Sequence, residues 1–166
     1  ILDLGTGSGC ILLSLLKECP LAEGTGVDVS PEALAVAREN AARLGVSGRC
    51  SFVNQSWSEW KPENEKWDMI VSNPPYIPHG DIAGLDAEVK DYDPHLALDG
   101  GEDGYGCYRE IAGLVPLILQ KGGYILLESG MGQAEDIMRI FSAQGLETVA
   151  VIPDLAGINR CVILKK

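Results

Sequence analysis

Clustered basic residues and histidines are scarce in this chain. His79 and His95 are the two histidines in 166 residues, and neither has a Ser or Cys placed beside it as a nucleophile partner. Lys and Arg number 13 against 24 acids, a net charge of −11 with a pI near 4.5. A grip on a phosphate backbone needs clustered cations, so no direct nucleic-acid contact is expected of this domain. The cysteines, Cys10, Cys19, Cys50, Cys107 and Cys161, are odd in number and show no CxxC spacing. That argues against a zinc site and against a disulfide framework. Reduced thiols, mostly buried, in a cytoplasmic protein are the expectation. No apolar run approaches the ~18 residues of a membrane span, and no signal peptide is visible.

Apolar residues are abundant at 46%, enough for a full core, and 20 glycines sit between the apolar runs as turns. The chain opens at Ile1 without Met, already inside an apolar strand. That suggests a domain cut from a longer protein. Strands are predicted over residues 1–4, 23–29, 51–54, 67–72, 123–128, 147–152 and 160–164. Helices are predicted from the glycine turn to about Cys19, then over 31–44, 104–120 and 133–143. Ile11, Leu12, Leu15 and Leu16 give the first helix its apolar spacing; Leu34, Ala37, Ala41 and Leu44 do so for the second. Ser30-Pro31-Glu32 is a helix start and Gly45 a helix end. Strands alternating with helices imply one α/β domain over 1–166, with a mostly parallel sheet covered on both faces. The last two strands lack a helix between them and should pair antiparallel. Residues 77–103 read as a long loop, either a functional lid or disordered. Its acids Asp81, Asp86, Glu88, Asp91, Asp93, Asp99, Glu102 and Asp103 lack the spacing of a calcium loop. They read as a solvated surface that could complement a basic protein partner, and no metal is expected.

Two features point to a nucleoside ligand. Gly5-Thr6-Gly7-Ser8-Gly9 lies between the first strand and first helix, where open α/β sheets bind ligands. Its GxGxG spacing differs from the GxGxxG of a dinucleotide fingerprint. Glycines there let a ligand approach the backbone, and the helix start favours a carboxylate as well as a pyrophosphate. Asp3 could accept a hydrogen bond from a ligand ammonium. Asp28, ending the second strand, can take both hydroxyls of a ribose.

Asn73-Pro74-Pro75-Tyr76 supplies the chemistry. Two prolines stop the fourth strand, because neither can donate to a ladder. The stiff turn holds an amide, a backbone carbonyl and an aromatic ring together. The Asn73 side-chain oxygen and the Pro74 carbonyl could accept both N–H groups of a planar nitrogen, with Tyr76 stacked on the flat group. The nitrogen would then face an electrophilic methyl, and the carbonyl dipoles would stabilise the charge that develops on it.

Together these motifs resemble the class I S-adenosylmethionine-dependent methyltransferases that act on amide or amine nitrogen. Asn73 to Tyr76 alone fits glutamine and adenine equally. Glu88-Val89, Tyr92-Asp93-Pro94, Ala97-Leu98, Gly100-Gly101, Asp103-Gly104 and Tyr108-Arg109 look like the lid of the release factor glutamine N5-methyltransferase family. Asp154-Leu155-Ala156-Gly157 with Arg160 looks like that family's closing hairpin. The resemblance implies a Rossmann-like seven-stranded sheet with its last strand antiparallel. It also implies S-adenosyl-L-methionine as cofactor and S-adenosyl-L-homocysteine as product. The implied substrate is the glutamine of the Gly-Gly-Gln motif in peptide-chain release factors, met by a cytoplasmic monomer. Cofactor contacts implied are Asp3, Gly5, Thr6, Gly7, Ser8, Gly9, Asp28, Val29, Ser56, Trp57 and Asn73. Asn73, Pro74, Pro75 and Tyr76 would meet the substrate, with Asn73, Pro74 and Tyr76 catalytic. The family often has Asp where this chain has Ser56, which carries no charge for the adenine amino group. It also carries a helical amino-terminal domain that helps dock the release factor, expected to precede Ile1. The alternatives are an adenine-N6 methyltransferase and a non-catalytic cofactor-binding domain.

Overall fold

The computed structural model describes residues 1–60, 66–86, 88 and 94–166. In chain order they form β1 (Leu2–Leu4), α1 (Cys10–Glu18), β2 (Gly24–Asp28), α2 (Pro31–Leu44), β3 (Cys50–Asn54) and β4 (Trp67–Ser72). After these come α3 (His95–Leu98), α4 (Gly106–Ile118), β5 (Leu119–Glu128), α5 (Ala134–Ser142), β6 (Glu147–Pro153) and β7 (Asn159–Lys165). Among the described residues the strands make one seven-stranded sheet in the order β3-β2-β1-β4-β5-β7-β6. β1 runs parallel to β2 and β4, β2 runs parallel to β3, and β6 pairs antiparallel with β7. This is the mostly parallel α/β sheet expected, antiparallel where no helix separates two strands. Backbone contacts divide the chain into two compact units. One comprises Ile1–Asn73, Ile118–Leu126 and Lys166; the other comprises Pro74–Leu117 and Leu127–Lys165.

In the first unit β1 is buried throughout and has β2 on one side and β4 on the other. The chain therefore reverses its direction of strand addition at β1, where the carboxyl ends leave room for a ligand. The face α1 buries is not quite the one its spacing suggests. Leu12, Leu13 and Leu16 are buried, while Ile11 is 36% exposed. Glycine pits explain the rotation: a Cβ on Gly24 would stand 2.5 Å from Leu12, and one on Gly9 2.9 Å from Leu13. α2 starts as expected, with Ser30 Oγ accepting from Ala33 N at 3.0 Å and Pro31 in the first position. It ends at Gly45, φ 70°. Leu34, Ala37 and Ala41 are buried, but Leu44 is exposed. Leu44 stands only about 20° round the helix from Ala37 at 3.6 residues per turn, so its exposure follows from its place as the last residue of α2. Trp60 and Trp67 are buried against each other, ring centroids 5.3 Å apart.

β5 begins four residues before the predicted strand. Its early part is held by the last residue of the chain: Gly122 N donates to Lys166 O at 2.8 Å, and Lys166 N to Gly123 O at 3.1 Å. Main-chain pairing there overrides the helical pattern, which had carried α4 to residue 120.

In the second unit the stretch read as a loop contains a 3-10 turn, His79–Gly84, and the short α3. Val89, Asp91, Tyr92 and Asp93 lie outside the described residues. Ile77 N donates to Leu98 O and Gly100 N to Ile77 O, tying the two ends of the stretch together. His79 Nδ1 lies 2.7 Å from Asp99 Oδ2, and the histidine holds that carboxyl below its ordinary pKa. Tyr108 is fully buried and donates to Glu128 O at 2.7 Å. α5 buries Ala134, Ile137 and Phe141. At the tip of the closing hairpin Asp154 Oδ1 accepts from Ala156 N and Ile158 N, and Oδ2 lies 3.3 Å from Arg160 Nε.

The expectation of mostly buried cysteines is corrected. Cys10 and Cys19 are exposed, and Cys50, Cys107 and Cys161 are half-buried. Cys10 and Cys19 flank the Leu12-Leu13-Leu16 stripe at the two ends of α1 and so escape it. Burial still raises the Cys107 thiol to about 11. Among the described residues no helix is long and apolar enough to cross a membrane.

Candidate functional site

The glycine turn hangs from β2. Gly5 N and Thr6 N both donate to Val27 O, at 2.9 and 3.1 Å, and Gly9 N closes the turn on Thr6 O at 2.8 Å. Gly5, Gly7 and Gly9 all have positive φ, which a side chain would strain. Their surroundings differ. Nothing lies within 4 Å of a Cβ placed on Gly7, whereas one on Gly5 would stand 3.1 Å from the Trp57 ring. The turn is therefore open at Gly7 and backed by Trp57 at Gly5. Ser8 is exposed, and its carbonyl accepts from Asn40 Nδ2 of α2 at 3.0 Å.

Asp3 sits beneath this turn and is 1% exposed. Its Oδ2 accepts from the Thr6 hydroxyl at 2.7 Å. Its Oδ1 is buried and has no hydrogen-bond partner among the described residues. Burial raises its pKa to about 6, and the charge of Asp28 adds to the rise; the Thr6 hydroxyl and the Leu12 amide oppose it. The Leu12 N–H thus favours the charged form without meeting hydrogen-bond geometry at Oδ1. A buried carboxylate oxygen without a donor is costly, and a cationic donor such as an ammonium would satisfy it.

Asp28 joins two turns. Oδ2 accepts from Gly7 N at 2.8 Å and Oδ1 from Ser30 N at 2.9 Å. Two oxygens offer about four lone-pair sites, so acceptor capacity remains for a pair of hydroxyls. Asn54, at the end of β3, steadies the same region: its Nδ2 donates to Asp28 O at 3.0 Å and to Val29 O at 2.9 Å. Val29 itself is exposed. Asn40 and Asn54 were not singled out from the sequence. The only signal was an Asn near each end of an element, which also fits a solvated surface.

Ser56 opens a turn instead of offering a free hydroxyl. Its Oγ pairs with Ser58 Oγ at 2.7 Å, and its carbonyl accepts from Glu59 N and Trp60 N. Trp57 is half-buried against Gly5. The first unit thus brings Asp3, Thr6, the three turn glycines, Asp28 and Trp57 together at the carboxyl ends of β1 and β2. A groove of about 860 Å³ lies at the opposite, amino ends of the strands, lined by Ile1, Glu23, Thr25, Arg49, Trp67 and Asp68. Its lining offers none of the glycine turn's donors, so volume is a poor guide to the chemistry here.

Asn73 follows β4, whose Ser72 hydroxyl donates to Leu4 O at 2.6 Å. Asn73 is exposed, and its amide makes no hydrogen bond among the described residues. In the second unit Pro74 is buried, and Pro75 and Tyr76 are half-buried. Pro74 and Pro75 hold φ near −65°.

A family model described as "Methyltransferase domain" matches residues 1–92. The chain is 46% identical over its whole length to the release factor glutamine methyltransferase of Rhodospirillum rubrum, covering 50% of that protein. It is 48% identical over 162 residues, 98% of the chain, to the release factor glutamine methyltransferase of Cereibacter sphaeroides, covering 58% of it. The chain thus spans about half the length of the curated relatives it matches. Among solved structures, TrmN from Thermus thermophilus superposes on 99% of the chain with a TM-score of 0.69 at 21% identity, covering 43% of that protein. At that identity the likeness shows the fold.

Proposed function

The chain belongs to the methyltransferase domain family, and on that premise we propose that it methylates the side-chain amide nitrogen of a protein glutamine. The methyl donor is S-adenosyl-L-methionine, and the substrate is the Gly-Gly-Gln glutamine of a peptide-chain release factor. The single observation that carries the cofactor half is Asp3 Oδ1, buried and without a partner beneath an open glycine turn. When bound, the cofactor supplies an electrophilic sulfonium methyl; every other requirement falls on the chain.

Asp3 meets the ammonium of the methionine part, which offsets the cost of its buried charge. Gly5 to Gly9 let that part lie against the backbone. Asp28 accepts from the ribose hydroxyls with the lone pairs that Gly7 and Ser30 leave, and Trp57 flanks the adenine. The amide to be methylated is a poor nucleophile, because its lone pair is delocalised. Asn73 Oδ1 and the Pro74 carbonyl accept its two N–H groups, and Tyr76 stacks on its plane. Held this way, the nitrogen would present one face to the cofactor methyl, whose bond to sulfur would break to leave S-adenosylhomocysteine. Positive charge builds on nitrogen, and the two carbonyl dipoles stabilise it. The methylated nitrogen is strongly acidic, so its proton passes to water without a dedicated base. The full-length relatives bear release factor names, and this supports the substrate. The reading includes a cytoplasmic enzyme, and the excess of 24 acids over 13 basic residues supports one without direct nucleic-acid contact.

The test is methyl transfer from labelled S-adenosylmethionine by the full-length protein. The acceptors are a release factor and its variant with the motif glutamine changed to alanine. Label in the first and none in the second is expected. Label in neither would defeat the substrate assignment.

A further inference from the structure

Gln133 fastens the Asn73–Tyr76 turn from its far end, and we propose that it is a positioning residue that fixes Tyr76 as the platform for the substrate amide. The platform role rests on the methyl-transfer reading above; the fastening itself is visible in the geometry. Gln133 occupies the position before α5, where Ser, Thr, Asp or Asn would normally cap the helix. Its side chain makes no capping bond. Instead it turns inward, 9% exposed. Oε1 accepts from Gly130 N at 2.9 Å, while Nε2 donates to Tyr76 O at 3.0 Å and lies 3.5 Å from Gly104 O. A glutamine amide has two N–H donors and an acceptor, so one side chain can serve all three loops.

The space for this amide is made by missing side chains. A Cβ on Gly104 would stand 2.6 Å from Tyr76 O and 2.9 Å from Gln133 Nε2. On Gly100 it would stand 2.8 Å from the Tyr76 carbonyl carbon and Cα. On Gly130 it would stand 2.5 Å from Gln133 Oε1 and 3.0 Å from Cδ2 of the Tyr76 ring. Three glycines therefore line a slot that admits one carbonyl, one ring edge and one amide. Gly104 also has φ +77°, so its backbone suits glycine independently of the contacts. Beyond the slot, Ile77 N donates to Leu98 O at 3.1 Å and Gly100 N to Ile77 O at 2.8 Å. Two prolines stiffen the chain before Tyr76, and this slot holds it after. Small misplacements of a group that orients a substrate cost rate steeply, about a hundredfold for 1 Å.

Gln133→Glu removes both donors and sets a carboxylate against two carbonyl oxygens. Gln133→Met keeps the length without any hydrogen bond, and serves if the first variant does not fold. Both are compared with wild type in the full-length protein by three measurements: kcat and KM on a release factor, Kd for S-adenosylmethionine, and hydrogen exchange of a peptide spanning residues 76–84. The expected result is a kcat at least tenfold lower, a cofactor Kd within twofold of wild type, and exchange in that peptide at least tenfold faster. A kcat within threefold of wild type would overturn the proposal. So would unchanged exchange, or a cofactor Kd that rises as far as kcat falls. If wild type transfers no methyl, the substrate assignment fails and the platform role with it, and faster exchange in the variants then marks a structural fastening alone.

Discussion

Asp3→Asn should stabilise the free protein and weaken it as a cofactor binder. Asp3 is almost fully buried, with one oxygen unpartnered, and burial raises its pKa from 3.8 to about 6. That rise of roughly 2 units corresponds to about 3 kcal/mol against the charged form at neutral pH. The folded state holds the Asp3 proton to higher pH than the unfolded state does. The stability linked to that proton is therefore full below about pH 4, is lost as pH rises to about 6, and stays lost above. Asn carries no charge and still offers Thr6 an acceptor. At about 2–4 °C per kcal/mol for a chain of this size, full relief would raise the melting temperature by roughly 6–12 °C. The new amide needs a partner of its own, so a gain of about 3 °C or more is expected at pH 7.5, shrinking to nothing near pH 4. Affinity moves the other way. On the proposed reading Asp3 makes a charge-assisted bond to the cofactor ammonium, a contact of about 1.5–3 kcal/mol, so Kd should rise about 10- to 100-fold above pH 6. The gap should close as wild-type Asp3 takes up its proton below that pH. Differential scanning calorimetry and isothermal titration calorimetry across pH 4–8 measure both. A lower melting temperature for the variant at pH 7.5, or an unchanged Kd, would refute the reasoning.

Asp28→Asn leaves one acceptor oxygen for the Gly7 and Ser30 amides and turns an NH2 on the other. The expected loss is about 1–3 kcal/mol in denaturant unfolding, with weaker cofactor binding by titration calorimetry. On the proposed reading Asn73→Ala removes a dipole from the developing charge, so kcat should fall about 10²- to 10³-fold in the labelled-methyl assay while cofactor Kd stays within about twofold. Phe141→Ala opens a cavity at a fully buried site of α5. It should cost about 3–5 kcal/mol, read as a lower denaturant midpoint.

The alternation of strands and helices and the limits of α2 were legible because their signals are local: Ser30-Pro31 for a start, Gly45 for a stop, proline after β4. The glycine turn and Asp28 could be read because their spacing places them at the ends of adjacent parallel strands. What escaped depended on partners distant in sequence. The buried face of α1 is set partly by the pit at Gly24, and the early start of β5 by pairing with Lys166. Asn40, Asn54 and Gln133 reach carbonyls 25–57 residues away. Nothing in their immediate neighbours marks an amide as turned inward. The exposed Cys10 and Cys19 escaped for a related reason, since composition reports how many thiols there are and not which lie off the apolar stripe.

Asp28 has a consequence for how this fold can vary. One carboxylate is a shared rivet between the β1–α1 turn, through Gly7, and the β2–α2 turn, through Ser30. Neither turn can gain or lose a residue alone without dragging the rivet from the other. Lengths of the two turns should therefore change together or not at all in viable descendants. A loop grafted from another protein into one of them would have to bring its partner with it.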